Sequence, residues 1–115
     1  MHCAVSRIPP ACVITVTGRW DAFSSELFEQ FWEELDRGQK PRLVVLDLRD
    51  LEYISSFGLR DLLNLGRQLE NRGGAVHVAA LSPAVNRVFL SSGHASLFPA
   101  FADHASAAAA LTQQP

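Results

Sequence analysis

The chain has 115 residues, 48% of them hydrophobic and 19% charged, with a formal net charge of −2. That suits one compact domain whose core needs neither disulfides nor metal, and the absence of a basic stripe argues against a nucleic-acid partner. No run reaches the ~18 apolar residues of a membrane span, and MHCAVSRIPP has no charged-then-apolar leader, so a cytoplasmic protein with no membrane partner is expected.

Residues 2–8 and 11–17 are β-rich runs around Pro9–Pro10, which predicts an N-terminal hairpin over 2–17 at a sheet edge. In such a hairpin Cys12 lies opposite a residue near Arg7 and Cys3 opposite one near Val16, too far apart to bridge, so free thiols are expected. A metal site lacks its other ligands. Gly18 ends the strand. Ser24 or Ser25 then caps a helix through ELFEQFWEELDR, with Leu27, Phe28, Phe31 and Leu35 at helical spacing and Gly38 at its end. RLVVLDL at 42–48 is a buried parallel strand.

A second helix runs from about Phe57 to Asn71, stopped by Gly73–Gly74, and AVHVAAL at 75–81 is the next strand. Ser82–Pro83 starts a third helix with a hydroxyl cap and a proline at the first helical position. Val85, Val88 and Phe89 form its buried stripe, and Gly93 closes it. A short strand near Leu97–Phe101 and a helix over about 104–112 follow, with Ala105, Ala108, Ala109 and Leu111 or Thr112 available for packing. The final QQP is expected to fray. Strand–helix alternation with short connections implies an α/β fold with a mostly parallel sheet of four or five strands and right-handed crossovers. Uniform crossovers put the helices on one face. Residues 1–115 form a single domain.

The stretch EYISSFGLRDLL, residues 52–63, places two hydroxyls at the start of the second helix. On a wheel of ~100° per residue, Leu59, Leu62, Leu63, Leu65 and Leu69 gather on one side, with Gly66 permitting close approach to the sheet. Arg60, Asp61, Asn64, Arg67 and Gln68 gather on the other. Phe57 falls on this polar side, where an aromatic ring either docks another protein or folds back over the loop. Ser56 precedes the helix and is expected to cap it. A phosphate there would meet free N–H groups and the positive end of the helix dipole, changing the surface and not the fold.

Catalytic alternatives lack their signatures. Neither serine has the leading glycine of a nucleophile elbow, and no HExxH or phosphate-binding glycine loop occurs. His77 lies in an apolar strand run, as a satisfied sheet histidine does. No enzyme and no cofactor is expected.

From about residue 11 to 112 the chain resembles the STAS-domain family, and specifically the bacterial anti-sigma factor antagonists. The stretches that carry this are VTGRWDAFSSELF, with Gly18 and Asp21 in the Gly–x–x–Asp turn, LVVLDLRDLEYISSFGLRDLL, GGAVHVAALSPAVNRVFLSSG and LFPAFADHASAAAAL. The family loop commonly reads Asp–Ser–Ser/Thr–Gly. With Gly58 as anchor, Ser55 stands at the aspartate position, Ser56 at the phosphoacceptor and bulky Phe57 at a small residue.

What the resemblance implies is partner switching. The unmodified protein would bind an anti-sigma factor or serine switch kinase of the histidine-kinase-like ATPase type, freeing an output protein. Phosphorylation at Ser56, with Ser55 second in line, would end the binding, and a metal-dependent serine phosphatase would reverse it. Partner contact would fall to Asp21, Ser55, Phe57, Gly58, Arg60, Asp61, Asn64 and Arg67, although Asp21 can equally be a turn or cap residue. The rival reading is a STAS binding module of a transporter or scaffold that is never phosphorylated.

Overall fold

The computed structural model describes residues 1–112; the expected fraying of QQP falls outside them. Two strands, β1 (His2–Ile8) and β2 (Ala11–Trp20), make the expected antiparallel hairpin. Cys3 pairs with Val16 and Cys12 with Arg7, and both thiols are free. Burial pushes the Cys3 thiol up to about 11, against the pull of the N-terminal amine.

Helix α1 (Ser25–Gln39) leads to β3 (Leu43–Asp47), and β4 (Leu51–Ile54) follows almost at once. Helix α2 (Ser56–Asn71), β5 (Ala75–Ala79), α3 (Pro83–Ser92), a single 3-10 turn at His94–Ser96, β6 (Ala100–Phe101) and α4 (His104–Thr112) complete the order. The sheet runs β1-β2-β3-β5-β6, parallel from β2 onward. It has six strands, not four or five, because residues 51–54 form a strand of their own beside β2. Gly18 does not end β2. It takes φ +89 at a register shift, and the strand continues to Trp20. One edge of β2 therefore pairs first with β3 and then with β4.

Alternation along β2 divides the core. Cys12, Ile14 and Val16 enter a large cluster with Phe28, Trp32, Leu62, Leu69, Val85 and Phe89, which places α1, α2 and α3 on one face. Ala11 and Val13 enter a smaller cluster with Val45, Ala79, Ala107, Ala108 and Leu111, so α4 covers the other face. A uniform crossover step accounts for the first three helices. Helix α4 follows the last strand, makes no crossover, and folds back beneath the sheet. It packs through Ala107 as well as Ala108 and Leu111, whereas Ala105 and Ala109 are exposed.

Helix ends differ in detail from the sequence expectation. Gly38 stays inside α1, which closes instead at Lys40 in the left-handed conformation, φ 45. Along α1, Phe28, Trp32 and Leu35 are buried while Leu27 is exposed. The stripe is shifted because Trp32, not Leu27, meets α2: its Nε1 donates to Gln68 Oε1 at 2.8 Å. Gly74 is required by contact, since any Cβ there would collide with the carbonyl of Arg42. Ser82 caps α3 by accepting from the Val85 N–H at 3.3 Å, and Gly93 closes it at φ 78. His77 is buried, with Nδ1 at 3.3 Å from the Ala107 carbonyl and its ring stacked on Phe101. Burial holds its pKa below the usual range.

Candidate functional site

The hydroxyl pair is positioned by β4. This strand carries the chain past the end of β3 to the tip of β2, where the Ser55 N–H donates to the Trp20 carbonyl at 2.9 Å. Ser55 is extended (φ −97, ψ 179), and its Oγ accepts from the Phe57 N–H at 3.2 Å. Ser55 is therefore the N-cap and Ser56 the first helical residue, which corrects the sequence assignment. A cap must sit outside helical geometry to turn its oxygen onto the first turn, and the strand that ends at Ile54 puts Ser55 there. Ser56 is exposed, and its hydroxyl has no hydrogen bond among the described residues.

Phe57 does not enter the core. Its ring is 43% exposed, with the Arg60 guanidinium carbon 5.5 Å from the ring centroid. Gly58 is buried under this turn. A Cβ there would come within 2.6 Å of Ile54 Cγ1 and 2.9 Å of Trp20 Cγ, so glycine is what lets α2 rest on Trp20. It offers a partner no side chain.

Asp61 is a second correction. The wheel put it on the solvent side, but it is 4% exposed. Its Oδ2 accepts from Trp20 Nε1 at 3.0 Å and from Ser25 Oγ at 2.7 Å. A wheel drawn against one sheet does not show a second helix, and α1 buries the flank that includes Asp61. Desolvation, aided by the nearby Asp61 carboxylate, holds Glu29 above its ordinary pKa. Arg60, Asn64 and Arg67 are exposed as expected. Arg67, however, stands on the order of 16 Å along the axis from Ser56, at 1.5 Å per residue. The structure therefore gathers Ser55, Ser56, Phe57 and Arg60, and leaves Arg67 apart.

Asp21 organises the turn after β2. Its Oδ1 accepts from the N–H groups of Phe23 at 3.0 Å and Ser24 at 3.2 Å. Desolvation acts to raise its pKa, but the hydrogen bonds from Ser24 and Phe23, with Arg19 nearby, hold it below the usual carboxylate range. Ser24 occupies the N-cap position of α1 without capping it, because its Oγ donates to the Arg19 carbonyl at 2.8 Å. Ser25 is engaged with Asp61. Neither serine caps α1 through its side chain in the way the sequence suggested.

Sequence reasoning missed the apolar rim of this end. Phe23 is 94% exposed in the Asp21 turn. Tyr53 and Leu27 are also exposed, and Tyr53 lies beneath the Arg19 guanidinium at 4.4 Å. An aromatic residue inside the polar turn DAFSS was the available signal. Exposed rings at the same end as an uncommitted hydroxyl suit a surface that a protein partner covers. Among the described residues no three His, Cys, Asp or Glu side chains converge on a metal position, and no helix is long and apolar enough to cross a membrane.

The family model for the STAS domain matches residues 2–107. A protein of Bordetella bronchiseptica named as an anti-sigma factor antagonist, BtrV, is 35% identical over 112 residues, covering 96% of this chain and 95% of its own. An anti-sigma factor antagonist from Mycobacterium paratuberculosis superposes with a TM-score of 0.86 at 24% identity, covering 97% of this chain and 94% of that one. The anti-sigma factor antagonist SpoIIAA in its unphosphorylated form gives 0.82 at 19% identity over 99% of both chains. The Bacillus SpoIIAA in phosphorylated form gives 0.71 at 20% identity over 92% and 96%. At these identities the solved structures establish the fold.

Proposed function

This chain belongs to the STAS domain family, and from that premise we propose that it is an anti-sigma factor antagonist whose partner binding is ended by phosphorylation of Ser56. The observation that carries the reading is the Ser56 hydroxyl itself: exposed, unbonded among the described residues, and next to the serine that already caps the helix. Capping and phosphate acceptance are separate tasks here, so the acceptor is not tied up in holding the fold.

The unmodified protein binds a serine switch kinase or anti-sigma factor of the histidine-kinase-like ATPase type through the rim formed by Phe23, Phe57 and Arg60, with the Asp21 turn beside it. The kinase moves the γ-phosphoryl group of ATP to Ser56 Oγ, ADP leaves, and the hydroxyl proton is released. Roughly 1.5 to 2 negative charges then stand on a surface that the partner must desolvate, and the complex separates. A metal-dependent serine phosphatase returns the hydroxyl by hydrolysis. The protein is substrate and ligand in this cycle, not catalyst, and it works in the cytoplasm.

The exposed Phe57 ring favours a second reading, a STAS binding module that is never modified, because its bulk flanks the acceptor. Incubation with candidate switch kinases and ATP, followed by mass spectrometric mapping, separates the two. Phosphate on Ser56, absent in Ser56→Ala, is the expected result. Tight binding with no label at all would support the module.

A further inference from the structure

We propose that Arg60 is the residue that pairs with phosphate on Ser56, and that Phe57 is where its guanidinium rests while Ser56 is unmodified. This rests on the reading of Ser56 as the modified residue and adds how the modification is registered. Three observations carry it. Ser56 and Arg60 are i and i+4 on α2, so their side chains share a face. Helical side chains lean toward the N-terminus, which aims Arg60 at the first turn and not away from it. The Arg60 guanidinium already lies over the Phe57 ring at 5.5 Å, one residue from the acceptor, with no carboxylate in salt-bridge contact among the described residues.

The two states of Arg60 then differ in strength. An exposed cation–π contact is weak, whereas a phosphate offers a charge-assisted and bidentate pairing with the guanidinium. Modification draws the guanidinium off the ring. The partner-facing surface loses its free cation and gains a bare ring next to an ion pair, in addition to the new charge. Phe57, the bulky residue where a small one was expected, acquires a purpose: it stores Arg60 within reach of Ser56 and competes with the phosphate for it.

The test uses the full chain with phosphoserine placed at position 56 during translation, so no kinase is needed. Phosphorus NMR titration reads the second pKa of that phosphate. Beyond what the first N–H groups of α2 do to it, an exposed pairing lowers it by a further ~0.2–0.7 unit. Arg60→Ala should remove that lowering, Arg60→Lys should keep part of it, and Phe57→Ala should deepen it by freeing the guanidinium. Equal phosphate pKa values in the parent and Arg60→Ala would overturn the inference, as would Phe57→Ala acting like Arg60→Ala. Kinase labelling of Ser56 is measured separately, so loss of the pairing and loss of the site reading are distinguishable.

Discussion

At the scale of single residues, two adjacent serines differ in what they do. Ser55 Oγ accepts from the backbone of Phe57, while Ser56 Oγ makes no bond among the described residues. Ser55→Ala should therefore cost about 0.5–2 kcal/mol through the lost cap. Ser56→Ala should stay within about 0.5 kcal/mol, as surface substitutions do, while abolishing phosphorylation. Urea unfolding of both variants, with label mapped in each, checks the pair. The opposite ranking of stabilities would return the cap to Ser56. This distinction was hidden in the sequence, because caps are set by where the preceding strand stops, and one residue of difference lies within the ordinary uncertainty of helix boundaries. Gly58 was legible as a family anchor, yet the reason for it was not. Alanine would improve helix propensity by up to about 1 kcal/mol, but the 2.6 Å approach to buried Ile54 opposes that gain.

Among elements, the strand–helix alternation was legible because its periods are local: Val44 to Leu46 read as a buried strand, and the leucines of α2 as a stripe. What depends on distant pairing was not. LEYI became a strand only because β2 continues through Gly18 and offers it an edge. Asp61 became interior only because Trp20 and Ser25, from two other elements, converge on it. A further link between elements joins the ends of α1 and α2, where Arg72 Nη1 and Nη2 donate to the Asp36 carboxylate at 2.6 and 3.1 Å. The hydrogen bond from Arg72 is the main reason that the Asp36 pKa lies below its usual value, and its charge adds to that. A carboxylate depressed in the folded state contributes stability above its unfolded pKa and loses it as pH falls through the folded value. Asp36→Asn should thus cost about 0.5–1 kcal/mol near pH 6, with the difference from the parent closing below about pH 4. Denaturant melts across that range measure it. A difference that persists undiminished at acid pH would mean the pair is not what Asp36 contributes.

For the molecule as a whole, the decisive arrangement is that the proposed acceptor, Ser56, stands outside both cores. Ser56 is exposed at the tip of β4, while the clusters above and below the sheet are closed by residues such as Leu62 and Val13. A phosphate placed on Ser56 would therefore meet no buried apolar group, and would face the first N–H groups of α2 and, on the proposal above, the Arg60 side chain. On the proposed reading, modification acts without unfolding the domain. The phosphorylated chain should melt within a few degrees of the unmodified one, which for a domain of this size corresponds to less than about 1 kcal/mol. Its hydrogen exchange should change only across the first turn of α2. Over the same modification, affinity for the switch kinase should fall at least about tenfold, equivalent to 1.4 kcal/mol or more. Calorimetry, exchange mass spectrometry and titration on one phosphorylated sample supply all three quantities. A large drop in melting temperature accompanying the lost affinity would show that the partner is released by collapse of the helix start, and the separation of scaffold from switch would have to be abandoned.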